Sequence, residues 1–235
     1  PRPHNWERKK RIMFDNAERK LARIHSGIED EISESKYNAV LGCCVIYGFL
    51  MNAFVALLLG NFAQSIPMLP FIIGYIVSCV AGSIISVKSQ NPVVSFIGYN
   101  LIVLPIGILL AICLPEYPQE NIIVAAVCAA VVAMCMMVAA TMRPERFGVM
   151  GNALFDALCF GILAELAAML FGYRGTLFDW AFVIVFSLYT AYDWVKAQSY
   201  PKTVDNAVDS AIDIYLDIIN LFIRILNILS KNKRN

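Results

Sequence analysis

The chain has 235 residues, of which 59% are hydrophobic and 16% charged, with a net charge of +1 and a mean hydropathy of +0.63. This composition is far more apolar than that of an ordinary globular domain, so it excludes a soluble domain, and we expect no nucleic-acid partner. The sequence therefore predicts a polytopic, all-α membrane protein.

The first 36 residues are polar and basic, in contrast to everything that follows. Within residues 1–36, apolar side chains such as Phe14, Leu21 and Ile28 keep helical spacing among many lysines and arginines. The pattern predicts either an amphipathic helix at the cytoplasmic membrane surface, against anionic lipid, or a solvated leader helix. If the protein is an interaction protein, this segment would be its docking element.

Seven apolar segments come next, each near the ~20 residues that cross ~30 Å of hydrocarbon. Short connections rich in Pro and Gly predict antiparallel neighbours in one compact bundle. The transmembrane domain is residues 37–229, and residues 230–235 form a short basic tail. The predicted spans are Tyr37–Leu59, Met68–Val87, Val93–Leu114, Asn121–Thr141, Val149–Phe171, Leu177–Lys196 and Val208–Leu229.

The distribution of lysine and arginine predicts the orientation. Most of the basic residues outside the spans fall on the side of the N-terminus, which the positive-inside rule makes cytoplasmic. The tail is basic too, with Lys231, Lys233 and Arg234, although seven crossings would put it on the other side. A six-span bundle with a re-entrant seventh segment would return the tail to the cytoplasm, so both topologies stay open.

The second span carries small residues at every fourth position: Gly74, Ser78, Gly82 and Ser86. Such a stripe lets a neighbouring helix approach closely. We predict a helix–helix contact there.

Neither the cysteines nor the histidines suggest catalysis or a bound cofactor. All seven cysteines fall inside apolar segments without a CxxC pair, and the two histidines, His4 and His25, lie in the leader. This arrangement argues against disulfides, a zinc site and a nucleophile–base pair. We expect neither an enzyme nor a resident cofactor.

The fifth span contains two acids, Asp156 and Glu165. They are nine residues apart, about 13 Å along a helix and not quite on one face. They belong either to a proton or cation path, or to local pairs with Asn152 or Arg174.

The last two spans carry the clearest functional signal. An ionised side chain at mid-bilayer costs on the order of 3 kcal/mol, so a stripe of them cannot face lipid and must line a protein interior or a watery path. Asp209 is also a plausible N-cap for the last helix. The polar stripe of the seventh segment consists of Asp205, Asp209, Asp213, Asp217, Asn220, Arg224 and Asn227.

Asp193, near the end of the sixth span, comes close in depth to Asp217 if the last two spans form an antiparallel hairpin. Two facing carboxylates at low dielectric cannot both ionise cheaply, so they would share a proton and titrate as a unit. That pair would be a pH sensor. The alternative is that these acids simply pair with Arg224 or Lys88.

The residues around these acids resemble the signature of the transmembrane Bax inhibitor motif family. The resemblance rests on Phe186–Tyr189, on Tyr192 with Asp193, and above all on the octad Tyr215–Phe222. It implies a seven-helix bundle with the last helix central, in a monomeric, multi-pass protein of the bacterial plasma membrane. It also implies a pH-sensitive calcium leak whose di-aspartyl sensor falls on Asp193 and Asp217.

Two features depart from that family. Its leak-forming members are similar in having a basic latch, a side chain at the cytoplasmic end of the second helix that holds the aspartate of the sixth until protonation; here only Lys88 could take that place. Asp213, one turn before Asp217, adds a carboxylate. It would raise the cost of ionising the pair, or join Asp193 and Asp217 as calcium ligands.

The sequence thus supports two functions of different classes. The first is a cation leak, calcium preferred, gated by protonation of the aspartate pair. The second is a membrane interaction protein that regulates a membrane protease or another partner, with structural acids. A proton-coupled transporter is a weaker third, because no inverted repeat or broken helix pair is visible.

Overall fold

The structure, a computed structural model, describes residues 31–173 and 175–232, and within them it is helical without any β-strand. The predicted amphipathic segment lies almost wholly outside these residues, as do Arg174 and the end of the basic tail. A one-turn helix, Pro144–Phe147, and a 3₁₀ turn, Leu114–Glu116, lie in connections. The long helices are α1 (Glu34–Ala63), α2 (Met68–Lys88), α3 (Pro92–Cys113), α4 (Gln119–Met142), α5 (Gly151–Leu170), α6 (Leu177–Ser199) and α7 (Val204–Asn232).

Each predicted span corresponds to one long helix, and consecutive helices run in opposite directions. We call the end of the bundle where α1 begins the near end, and the end where α7 finishes the far end. At the near end the Ile32 amide donates to the Lys202 carbonyl at 2.7 Å, and at the far end the Tyr117 hydroxyl donates to Asn227 Oδ1 at 2.7 Å.

The predicted start of the last helix was wrong. Helix α7 begins at Val204, four residues before the predicted Val208. The hydroxyl of Thr203 accepts a bond from the Asn206 amide at 3.1 Å, so Thr203 supplies the capping oxygen that was expected from Asp209. Asp209 lies inside the helix instead, where it points toward α2.

Among the residues that the structure describes, five helices are long and apolar enough to cross a membrane. This confirms a multi-pass integral membrane protein in a lipid bilayer, while the count of seven crossings stays a prediction. Helices α6 and α7 are not among these five. The five candidate spans are Glu34–Gly60, Met68–Lys88, Pro92–Glu116, Gln119–Met142 and Gly151–Leu170.

Helix α7 lies inside the bundle, which explains how it carries its acids. It packs against α1, α3, α4 and α6. Its apolar residues Ile214, Tyr215 and Leu221 are fully buried, so they form the core. Because α7 contacts protein on several sides, its polar stripe meets the polar groups of other helices.

Candidate functional site

The two last helices form an antiparallel hairpin that is fixed at the near end. Residues 200–203 join them, and the Asn206 side-chain amide donates to the Pro201 carbonyl at 2.9 Å. The buried Tyr37 hydroxyl, from the first turn of α1, donates to the Ala197 carbonyl at 2.9 Å and lies 3.1 Å from the Ser210 hydroxyl. Residues 193–217 of the hairpin are therefore held at a defined depth.

Three acids and one base meet at the interface of α6 and α7. Lys196 Nζ lies 2.7 Å from Asp213 Oδ2 and 3.4 Å from Asp193 Oδ1. Asp217 faces Asp193 within side-chain hydrogen-bonding reach. With all four groups ionised the cluster would carry three negative charges and one positive. We call these residues, Asp193, Lys196, Asp213 and Asp217, the acid cluster.

The carboxyl groups of the cluster differ in their surroundings. Asp193 and Asp217 are buried, with 8% and 6% of their surface exposed, whereas the Asp213 side chain is 40% exposed. The Oδ2 atom of Asp217 is buried and has no hydrogen-bond partner among the described residues. A buried, unsatisfied carboxylate oxygen is costly, so this atom would gain from a proton, a water molecule or a passing cation.

Phenol groups surround the acid cluster. Tyr189 and Tyr192 of α6 and Tyr200 of the connection lie within electrostatic reach of its acids, and Cys159 of α5 lies near Tyr189. Burial raises the pKa of Tyr200 to about 12. This phenol therefore stays neutral at physiological pH at the near-end side of the cluster.

Lys202, in the connection between α6 and α7, contacts Gln198 and Tyr37 and not the acid cluster. Its Nζ lies 4.4 Å from the centre of the Tyr37 ring and donates to the Gln198 carbonyl at 3.0 Å. Burial lowers the pKa of Lys202, while the charge of Glu34 raises it.

The structure does not place either predicted latch residue at the acid cluster. Lys88 is exposed at the end of α2, and no ion pair joins it to another of the described residues. Arg224 is seven residues beyond Asp217, about two helical turns toward the far end, where it pairs with other acids. Lys196, from the same helix as Asp193, makes the contact with Asp193 that was expected of the latch.

The predicted calcium ligands are not arranged as a metal site. Among the described residues no group of three or more His, Cys, Asp or Glu side chains could hold a metal ion. The Lys196 ammonium lies between Asp193 and Asp213, so it takes the place that a cation shared by these carboxylates would need. This conformation does not form the three-aspartate ligand set, which stays a prediction.

The near-end part of the polar stripe is bonded to serines of α2 and α3. The Ser95 hydroxyl donates to Asp205 Oδ1 at 2.6 Å, and the Ser86 hydroxyl donates to Asp209 Oδ1. Asp205 is buried. These two acids connect α7 to the pair α2–α3.

A second charged network surrounds Arg224 and Asn227 in the far-end part of the polar stripe. Arg224 makes a two-pronged contact with Glu165 of α5, at 2.6 and 2.9 Å, and reaches Asp179 of α6 at 3.3 Å. Asp179 is buried and also accepts from Lys231 at 3.0 Å and from Asn227 at 3.3 Å. Glu165 is thus part of an ion-pair network. We call Glu165, Asp179, Arg224, Asn227 and Lys231 the far-end network.

Asp156, the other acid of the fifth span, does not belong to the far-end network. Asp156 is exposed on the outer surface of α5, and it forms no ion pair with another described residue. The predicted path through both Asp156 and Glu165 is not formed, because only Glu165 points toward α7.

The sequence analysis did not identify several residues that contact the acids of α6 and α7. Lys196 is three residues after Asp193, a spacing that places both on one helical face, so its pairing could have been found. Asp179 lies in the first turn of α6, where acids are common for helix-dipole reasons alone. The serine partners Ser86 and Ser95 had no signal, because their role depends on which helices neighbour α7.

The comparisons with known proteins agree with this architecture. The family model described as Inhibitor of apoptosis-promoting Bax1, Bax1-I, matches residues 35–234. No curated protein matches the chain. The match covers the described helices from the second residue of α1 onward, together with both charged clusters.

Proposed function

Because the chain belongs to the Bax1-I family of membrane proteins, we propose that it is a cation leak, calcium preferred, whose opening depends on protonation of the acid cluster. The observation that carries this proposal is the buried pair Asp193 and Asp217, with one oxygen of Asp217 left without a partner. Calcium enters the proposal as the transported ion.

In this proposal, the contact of Lys196 with Asp213 keeps the leak closed. It is an ion pair between α6 and α7, and the contact with Asp193 holds the ammonium in place. Acidification would protonate the buried pair Asp193 and Asp217, and the Lys196 ammonium would then lose the attraction of Asp193 that holds it in place. We therefore expect the leak to increase as the pH falls.

Calcium flux into dye-loaded liposomes that contain the purified protein tests this proposal. Flux should be measured from about pH 5 to about pH 8, the range in which coupled buried carboxylates titrate. For Asp217→Asn we expect flux that no longer depends on pH, because the pair has lost its shared proton. For Lys196→Gln we expect a leak that is already open at neutral pH.

Lys88→Gln is the matched control. It removes a lysine at the same end of the bundle that lies outside the acid cluster, so its pH profile should follow that of the wild type. No flux above empty liposomes at any pH would refute the leak. An unchanged pH profile in both Asp217→Asn and Lys196→Gln would refute the gate while leaving the leak in place.

One observation favours the alternative function, a membrane interaction protein. Asp156 is exposed on α5 beside the exposed aromatic residues Phe155 and Phe160, on a surface that would otherwise meet lipid. An acid on such a surface is better accommodated by a partner helix with a polar or basic group. Helix α5 itself packs mainly against α6, so most of its surface is available.

Two variants separate this alternative from the leak. Removing residues 1–30 deletes the predicted docking segment, and Asp156→Leu removes the exposed acid. Loss of a co-purifying membrane partner with unchanged calcium flux would favour the interaction protein. Unchanged partners with altered flux would favour the leak.

A further inference from the structure

A groove of about 360 Å³ runs along the outer surface of α1 at the near end of the bundle. It is bordered by Phe96 of α3. Its wall is almost entirely apolar. The residues lining it are Lys36, Ala39, Val40, Cys43, Cys44, Tyr47 and Phe96.

The lining residues follow one stripe of α1 from the membrane surface inward. From Lys36 to Tyr47 is eleven residues, which is about 16 Å along a helix. One leaflet contributes about half of the ~30 Å hydrocarbon thickness, or about 15 Å. The groove therefore has the depth of a single acyl chain.

Charge is confined to the surface end of the groove. Lys36 is the charged residue among those lining it, and it lies in the first turn of α1, where Ser33 caps the helix. The unpaired amides of a helix N-terminus add positive potential at that point. A phosphate group at the mouth would thus meet an ammonium and the positive end of a helix.

The acid nearest in sequence does not cancel this charge. Glu34 is two residues before Lys36, about 200° around the helix, so it projects to another side. Its electrostatic effect is on Lys202 of the α6–α7 connection. At the deep end, the Tyr47 hydroxyl donates to Asn100 at 2.6 Å, so it is engaged and leaves the floor apolar.

We propose that this groove binds one anionic phospholipid of the adjacent leaflet, with the phosphate at Lys36 and an acyl chain between α1 and Phe96. An apolar slot of single-chain depth with one cation at its mouth matches that molecule in both length and charge. The proposal rests on α1 and α3, and it stands whether or not the protein is a leak.

Native mass spectrometry of the full chain, released from nanodiscs containing equal amounts of phosphatidylglycerol and phosphatidylcholine with identical chains, tests it. We expect one phosphatidylglycerol retained in preference to phosphatidylcholine. Lys36→Ala should lower that preference about fivefold, the factor for one lysine near an anionic lipid. Ala39→Trp should fill the groove and remove both lipids.

Lys88→Ala is the matched control, since Lys88 is an exposed lysine at the same end that lies outside the groove. It should keep the wild-type preference. An equal loss in Lys88→Ala and Lys36→Ala would show diffuse surface charge and overturn the proposal. So would retained lipid in Ala39→Trp, or a wild type that holds no lipid because another segment or a second copy covers the groove. Unchanged thermal unfolding of each variant establishes that the fold is intact.

Discussion

At the scale of single residues, Lys196 determines the electrostatic balance of the acid cluster. Without it, Asp193, Asp213 and Asp217 would place three carboxylates together at low dielectric, which is unfavourable unless protons or cations compensate. With it, one positive charge contacts two of them. Lys196 therefore stabilises the cluster at neutral pH.

Lys196→Gln should destabilise the protein at neutral pH. The side chain is 33% exposed, so we expect a loss of about 1–3 kcal/mol, between the values for surface and buried ion pairs. The loss should shrink as the pH falls, because protonated carboxyls no longer repel one another. Thermal unfolding in one detergent across pH measures this, and a loss independent of pH would contradict the electrostatic explanation.

Arg224 has the corresponding role in the far-end network, through geometry as well as charge. Its guanidinium binds both oxygens of Glu165 and packs 4.2 Å from the centre of the Phe182 ring. Arg224→Lys keeps the charge but loses the fork, so we expect a loss of about 1–2 kcal/mol in unfolding measurements. Lys231→Met, which removes a more exposed partner of Asp179, should cost less than Arg224→Lys.

At the scale of helices, three members of the small-residue stripe of α2, Ser78, Gly82 and Ser86, contact α3 as the spacing predicted, whereas Gly74 does not. A Cβ atom on Gly82 would lie 2.5 Å from the Gly98 carbonyl oxygen, and one on Gly98 would lie 2.7 Å from the Gly82 carbonyl oxygen. The Ser78 hydroxyl donates to the Leu101 carbonyl at 2.6 Å. The backbones of α2 and α3 are therefore too close to admit any side chain here.

Gly82→Ala and Gly74→Ala form a matched pair that tests this contact. The first must push α2 and α3 apart, so we expect a lower melting temperature and a weakened Ser86–Asp209 bond one turn away. Gly74 has nothing within 4 Å of a new Cβ, so Gly74→Ala should be neutral or stabilise by about 0.5–1 kcal/mol. Equal melting temperatures for the two variants would refute the close contact.

The helices were predictable and their partners only in part. Apolar length placed all seven helices within a few residues, because each depends on local composition. The polar stripe of α7 predicted an interior position, which the structure has. The helix that supplies the partner of each polar residue of α7 was not predictable. Ser86, Ser95, Glu165 and Asp179 face α7 only because of the order in which the helices pack.

At the scale of the whole molecule, α7 joins two charged clusters at different depths. The acid cluster links it to α6, and the far-end network links it to α5 and α6. At the near end, the hydrogen bonds of Ser86 and Ser95 also link α7 to α2 and α3. A cation that followed the polar stripe would have to pass Lys196 and then Arg224, so we regard both as barriers in the conformation described.

The direction of α7 makes a prediction about the membrane topology. It has 29 residues, about 43 Å, and runs from the near end to the far end without a break. That length suffices to cross ~30 Å of hydrocarbon, whereas a re-entrant segment would turn back. Seven crossings would place the basic tail on the side of the α1–α2 connection.

Single cysteines at Ser65, Gln90 and Asn235 distinguish the two topologies, in a background in which the seven native cysteines, all free thiols, are replaced. A membrane-impermeant maleimide applied to sealed, oriented vesicles should label positions 65 and 235 from one side and position 90 from the other. Labelling of positions 90 and 235 from the same side would instead require six crossings and a re-entrant α7. In that case the acid cluster and the far-end network would open to the same compartment, and a leak along the polar stripe would be impossible.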